Sequence, residues 1–222
     1  MISIGRKLRE GASAGDGTGP GGGILGNPPI APNKRKKFVV NDVPVWVVSE
    51  RVQYYGDDGK LITESLKDYT RKGILRRFAS LNDFLTNWRS AQQKQAVIEE
   101  LERQGVIFEA LAEEVGKDFD PFDLVCHVAF GQPPLTRRER AENVRKRNYF
   151  GKYAEQARAV LNALLDKYAD EGIAPIEDMN VLRVQPLAGF GTPIEIVKLF
   201  GGREQYLVAL RELEEMLYKA AA

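Results

Sequence analysis

Between Glu113 and Asn148 the sequence changes character three times: EEVGKDFDPFDLVCHVAFGQPPLTRRERAENVRKRN. Asp120-Pro121 opens a run in which Phe122, Leu124, Val125, Val128 and Phe130 are too apolar for a surface helix, so the run reads as a buried central helix. Gly131-Gln132-Pro133-Pro134 ends it, because proline lacks the N–H and the torsional freedom a continuing helix needs. Thr136, three residues ahead of Glu139, then carries a capping-box signature and opens a strongly basic helix over 137–147. A buried helix, a hard stop and a charged helix within one stretch demand a multi-helix domain.

The 222 residues suit one domain with an appendage, and an apolar fraction of 43% suffices for a core. Net charge is only +1, so any affinity for nucleic acid must come from local patches. A single cysteine excludes an internal disulfide and fits a reducing compartment. No apolar run reaches the roughly 18 residues that a membrane span needs. The first residues, MISIGRKLREG, lack the apolar core of a signal peptide. The expected location is the cytoplasm, with no membrane partner.

Three segments are expected in order. Residues 1–37 read as a linker rich in glycine and proline that ends in the cations Lys34-Arg35-Lys36-Lys37. Gly17-x-Gly19-x-x-Gly22 in this linker matches a dinucleotide fingerprint, but Pro20 interrupts it, and a strand before and a helix after are wanting. Residues 38–64 turn to a period of two and read as a β-hairpin or short antiparallel sheet. Val43 to Tyr55 reads as one strand, Gly56-Asp57-Asp58-Gly59 as a turn, and Lys60 to Thr63 as the returning strand. Phe38–Val40 reads as a further short strand.

Residues 65–220 read as the helical domain, so the fold class is mainly α. Helices are expected over 66–78, 81–89, 91–104, 107–115, the central run, 137–147, 149–170, 193–200 and 203–219. Ser65, Ser80, Thr136 and Thr192 stand at expected N-caps. The stripe Tyr153, Ala157, Val160, Leu161, Leu164 and Tyr168 has helical spacing, and so do Tyr206, Leu210, Leu213 and Leu217. Residues 171–191 read as loop, with a short extended piece over 181–184.

Catalytic chemistry finds little footing. Cys126 and His127 have no second thiol or imidazole to join in a metal site, and in an apolar helix they read as packing. Asp118, Asp120 and Asp123 lack the glycine and distant glutamate of a calcium loop, and read as a helix entry. The Gly-Lys pairs at 59–60, 116–117 and 151–152 are never followed by Ser or Thr, so no Walker A loop is present. No Glu-x-Lys of a metal-dependent nuclease occurs. No catalytic residue, metal ligand or cofactor site is expected in this chain.

The basic helix is the one positive signal. Arg137, Arg138, Arg140, Arg145, Lys146 and Arg147 face only Glu139 and Glu142, which leaves six cations against two carboxylates, or +4. Its apolar stripe is thin, essentially Ala141 and Val144. Two readings stand side by side. The helix is a solvated face laced with pairs such as Arg138–Glu142, or it docks on an acidic protein or on phosphate.

Three segments carry a resemblance: VPVWVVSERVQYYGDDGKLITESLKDYTRK, KDFDPFDLVCHVAFGQPPLTRRERAENVRKR and LLDKYADEGI. Together they resemble the C-terminal helical domain of the restriction (R, or HsdR) subunit of type I restriction-modification enzymes, of the EcoEI R type. The resemblance runs from about Phe38 to Tyr218. It implies a non-catalytic part of a type I site-specific deoxyribonuclease. Nuclease and motor domains would precede it, with the glycine-rich stretch as tether. It further implies that the domain holds the subunit on the methyltransferase (M) core, while ATP and Mg serve the full R subunit. The alternative function is an accessory module for double-stranded DNA that uses the same arginines and Lys34–Lys37.

Overall fold

β-Branched residues alternate along Val43–Val48, and this pattern builds the first of two units in the computed structural model. The structure describes residues 35–219 apart from 41, 42, 49 and 57. The glycine-rich linker and Lys34 lie outside the described residues. The chain divides at Ser65 and Leu66.

The first unit contains a four-stranded antiparallel meander: β1 (Arg35–Val40), β2 (Val43–Val48), β3 (Arg51–Tyr55) and β4 (Leu61–Ser65), in the order β1-β2-β3-β4. It departs from expectation in two respects, the first being that β1 begins at Arg35 rather than Phe38, so that Arg35, Lys36 and Lys37 pair with β2. Val43 to Tyr55 is not one strand but two, because the chain reverses between Val48 and Arg51, which pair with each other. The break preserves alternation: Val47 lies opposite Val52, and Val45 opposite Phe38. One face therefore buries Val45, Val47 and Val52. On that face the Tyr54 hydroxyl donates to Glu64 at 2.8 Å. The β3–β4 turn closes through Gly59, whose φ of +73° suits a residue without Cβ.

Among the described residues the second unit holds ten α-helices: α1 (Leu66–Arg77), α2 (Leu81–Ser90), α3 (Lys94–Arg103), α4 (Phe108–Val115), α5 (Pro121–Phe130), α6 (Arg137–Lys146), α7 (Glu155–Glu171), α8 (Ile173–Glu177), α9 (Pro193–Lys198) and α10 (Arg203–Tyr218). Helix α5 is the central one. It buries Phe122, Leu124, Val125, Cys126 and Ala129. Asp120 caps it by accepting from Phe122 N at 2.9 Å, and Pro121 occupies the favoured first turn. Gly131 ends it in the left-handed region, with Gly131 N and Gln132 N donating back to His127 O and Cys126 O.

The core is sewn by aromatic contacts around α5. The Phe122 ring lies 5.6 Å from Phe84, 5.3 Å from Trp88 and 5.0 Å from Tyr218. Each such pair contributes about 1 kcal/mol beyond its area burial. The stripes of α7 and α10 are buried as their spacing predicts, through Val160, Leu161, Leu164 and Tyr168 and through Tyr206, Leu210, Leu213 and Leu217.

Two expectations shift. Helix α7 starts at Glu155 rather than 149, since Asn148 adopts φ 47° and Tyr149–Lys152 tightens into a 3-10 turn. Residues 171–191 are not a loop. They hold α8 and two further 3-10 turns, Met179–Arg183 and Leu187–Phe190, which bury Ile173, Ile176, Val181, Leu182 and Leu187. Of the piece at 181–184, Val181–Arg183 is therefore helical and only Val184 is extended. Its apolar residues are too closely spaced to show a strand or helix period by sequence alone.

Candidate functional site

Helix α6 begins at a complete capping box. Glu139 N donates to Thr136 Oγ1 at 3.2 Å, and Thr136 N donates to Glu139 Oε2 at 2.8 Å. The Thr136 backbone N–H, then its hydroxyl, hold the exposed Glu139 carboxyl below its ordinary range. Thr192 and Glu195 repeat the device at α9.

The row 137, 140, 141, 144 is the inner face of this helix, and two of its arginines turn inward. Arg140 is only 7% exposed. Its Nε donates to Asp123 Oδ2 at 2.5 Å, its Nη2 to Asp123 Oδ1 at 2.8 Å and its Nη1 to Leu217 O at 2.7 Å. Its guanidinium also lies 4.8 Å from the centre of the Phe122 ring. Burial opposes the charge, but the hydrogen bonds and field of Asp123 outweigh it, and the Arg140 pKa is raised. Arg137 is half-buried, with Nη1 donating to Phe119 O at 3.0 Å and Nε to Ala169 O at 3.4 Å. Arg140 is thus withdrawn from the expected docking set: its fork is spent joining α5, α6 and α10.

The outer residues divide again. Arg138 pairs with Asp170 of α7 at 3.4 Å rather than with Glu142. Arg145 bridges Glu142 at 2.6 Å and Asp166 at 2.5 Å. Lys146 and Arg147 are exposed, and neither makes an ion pair among the described residues. Most of the +4 of this helix is answered by α5, by α7 and within its own turn. The solvated, laced reading describes the geometry of Arg138 and Arg145, and Lys146 and Arg147 are the cations that stand open.

Sequence reasoning missed two buried clusters. Asp120 Oδ2 accepts from the Tyr218 hydroxyl at 3.2 Å, in a site closed to solvent. Burial, reinforced by the charge of Asp123, pushes the Asp120 carboxyl up to about 6, against the lowering influence of Phe122 N–H and Arg140. The second cluster joins α3, α8 and α10. Glu177 accepts from Lys94 N at 2.5 Å and Gln95 N at 3.1 Å, capping α3 from a residue 83 positions away. Lys94 Nζ donates to Ala91 O at 2.8 Å and lies 3.8 Å from Glu214. Burial and then the charge of Glu177 raise Glu214 to about 7, with Lys94 opposing. The odd signal in the sequence was a lysine and a glutamate on otherwise apolar rows.

Cys126 is buried and its thiol is pushed up to about 12, first by desolvation and then by Asp123. His127 Nδ1 lies 3.1 Å from Gln132 O. Among the described residues no three His, Cys, Asp or Glu side chains converge as metal ligands, and no helix is long and apolar enough to cross a membrane.

The sheet carries the other surface of note. On the face opposite Val45 and Val47, Val39 is 60% exposed, Tyr55 53% and Leu61 55%. Trp46 lies on the same face, its ring 6.5 Å from that of Tyr55 in an edge-on arrangement.

Comparison with known proteins decides the family. The model of the EcoEI R protein C-terminal family matches residues 64–218. The chain belongs to this family. It is also 60% identical over 187 residues to the type I restriction enzyme EcoAI endonuclease subunit of Escherichia coli. That match covers 84% of this chain but only 23% of the length of the relative. No solved structure matches. The EcoEI R C-terminal match takes in all ten helices and stops short of most of the sheet.

Proposed function

We propose that this chain is the assembly domain of a type I restriction R subunit, non-catalytic by itself, which docks on the modification (methyltransferase) subunit. Nuclease and motor work, with its ATP and Mg, belongs to domains upstream in the parent subunit, and the setting is cytoplasmic. The observation that carries this reading is the exposed apolar face of the sheet, where Val39, Tyr55 and Leu61 are all more than half exposed. Exposed apolar residues grouped on one face mark interaction surfaces. Aromatic residues such as Trp46 and Tyr55 supply the anchors that protein interfaces use. The cations Lys37 and Arg51 share that face by register and give it a polar rim.

Calorimetric titration of the chain against the purified modification core, without DNA, tests the proposal. A saturable complex whose affinity changes little with salt supports apolar docking. Absence of heat at both low and high salt overturns it.

A further inference from the structure

Helices α3, α8 and α10 meet around two carboxylates and one ammonium. Lys94 and Glu214 are each 5% exposed, and Glu177 is half-buried. The Glu177 oxygens are committed to the backbone N–H groups of Lys94 and Gln95 at the start of α3. Lys94 Nζ lies 3.8 Å from Glu214, beyond hydrogen-bond reach, because it is turned to Ala91 O at 2.8 Å. The cluster is therefore neutral only while one carboxyl holds a proton. The other charged groups near Glu214 are Arg211 and Glu215 on α10, Arg89 near the end of α2 and Lys219 beyond α10, all exposed and so screened by solvent. Beside the cluster lies a crevice of about 350 Å³ between α2 and α10, walled by Trp88, Lys94, Glu214, Met216 and Tyr218. The buried Trp88 Nε1 has no hydrogen-bond partner among the described residues.

We propose that this cluster is a proton-operated latch: with Glu214 protonated the α2–α3 connection is held against α10, and with Glu214 ionised the connection swings off and the crevice fills with water. An ionised Glu214 competes with Ala91 O for the Lys94 ammonium and repels Glu177, so both ties on the start of α3 weaken together. A buried carboxylate without full compensation is costly, and hydration is the relief at hand. The crevice has room for several waters at about 30 Å³ each, and the Trp88 N–H gains a partner in the same step. The connection Ala91–Gln93 is the side that moves. The end of α10 is pinned by Arg140 Nη1 on Leu217 O at 2.7 Å and by the Tyr218 hydroxyl on Asp120 at 3.2 Å. Burial, then the charge of Glu177, raises Glu214 from the ordinary glutamate value of 4.5 to about 7. The folded state holds this proton more tightly, so the latch weakens as pH rises through that range.

The test is acrylamide quenching of Trp88 fluorescence from about pH 5 to about pH 9 in the full chain carrying Trp46→Phe, which removes the other of its two tryptophans. Quenching is expected to be weak in acid and to rise through a one-proton transition with its midpoint near 7. Glu214→Gln, a neutral side chain of the same shape, should hold quenching at the acid level throughout. Glu177→Gln should move the midpoint to lower pH. Circular dichroism, read alongside, should show helix content unchanged across the transition. Three results would overturn the proposal: quenching that does not vary with pH, loss of helix in step with quenching, or a transition that survives Glu214→Gln and disappears in Asp120→Asn.

Discussion

Arg140 and Asp123 meet as fork and carboxylate, Nε to Oδ2 at 2.5 Å and Nη2 to Oδ1 at 2.8 Å, with Arg140 7% and Asp123 2% exposed. The Asp123 oxygen that takes Nη2 also accepts Leu135 N at 2.9 Å, so one carboxylate fixes both the entry to α6 and its rotation.

Removing one partner of such a pair leaves an uncompensated buried charge. Arg140→Leu is expected to cost about 3–5 kcal/mol in urea unfolding. Arg140→Lys should recover little, because an ammonium cannot occupy both oxygens in the plane of a fork. Arg140→Leu with Asp123→Leu should lose less than the two single changes together. Additive losses would mean that the pair is not coupled.

Asp120 gives a pH dependence of definite sign. Its folded pKa of about 6 lies above the ordinary aspartate value of 3.8, so the folded state holds the proton more tightly. The contribution of this group to stability is therefore greatest in acid and declines as pH rises from about 4 to about 6. Asp120→Asn keeps an N-cap acceptor and removes the titration. The difference in unfolding free energy, variant minus parent, should move in favour of the variant between pH 4 and pH 7. A difference independent of pH would show that Asp120 binds its proton no more tightly in the folded than in the unfolded state.

Glu177 acts at a distance on Glu214. Glu177→Gln should lower the Glu214 pKa from about 7, since the charge of Glu177 is the second cause that raises it after burial. Carboxyl carbon shifts followed by NMR titration measure this directly. The same variant weakens the cap on Lys94 N and Gln95 N, with a loss of about 1 kcal/mol expected. An unmoved Glu214 titration would dissociate the two carboxylates.

The Cys126 thiol, buried and raised to about 12, is protonated at pH 8 and should resist an aromatic disulfide reagent in the native state. Unfolding in urea should release one fast-reacting thiol. Rapid reaction of the native chain would place Cys126 at an opening in the core.

The parts legible in the sequence are those that rest on local rules. Thr136, Thr192 and Asp120 announce their helices through caps, and the stripes of α7 and α10 through spacing, because these signals need only near neighbours. The fate of Arg140 was half legible. It shares a helical row with Ala141 and Val144, the two apolar residues of α6, but its partner Asp123 comes from another helix. Glu177 capping α3 had no local signal at all, since its ligands lie 83 and 82 residues away. The split of Val43–Tyr55 into two strands was hidden because Ser49-Glu50 lacks the glycine or asparagine that marks most two-residue hairpin turns. Charge density drew attention to α6, yet density does not reveal which cations are already answered by neighbouring carboxylates.

Side-by-side titration of the modification core, free of DNA, against three forms of the chain tests the assembly role most directly. These are the parent, Tyr55→Glu with Leu61→Glu on the sheet, and Arg138→Gln with Arg147→Gln on α6. The parent and the α6 variant should bind alike, and the sheet variant should lose binding while melting at a similar temperature. Unimpaired binding by the sheet variant, with loss in the α6 variant, would contradict docking through the sheet and return the interface to the basic helix.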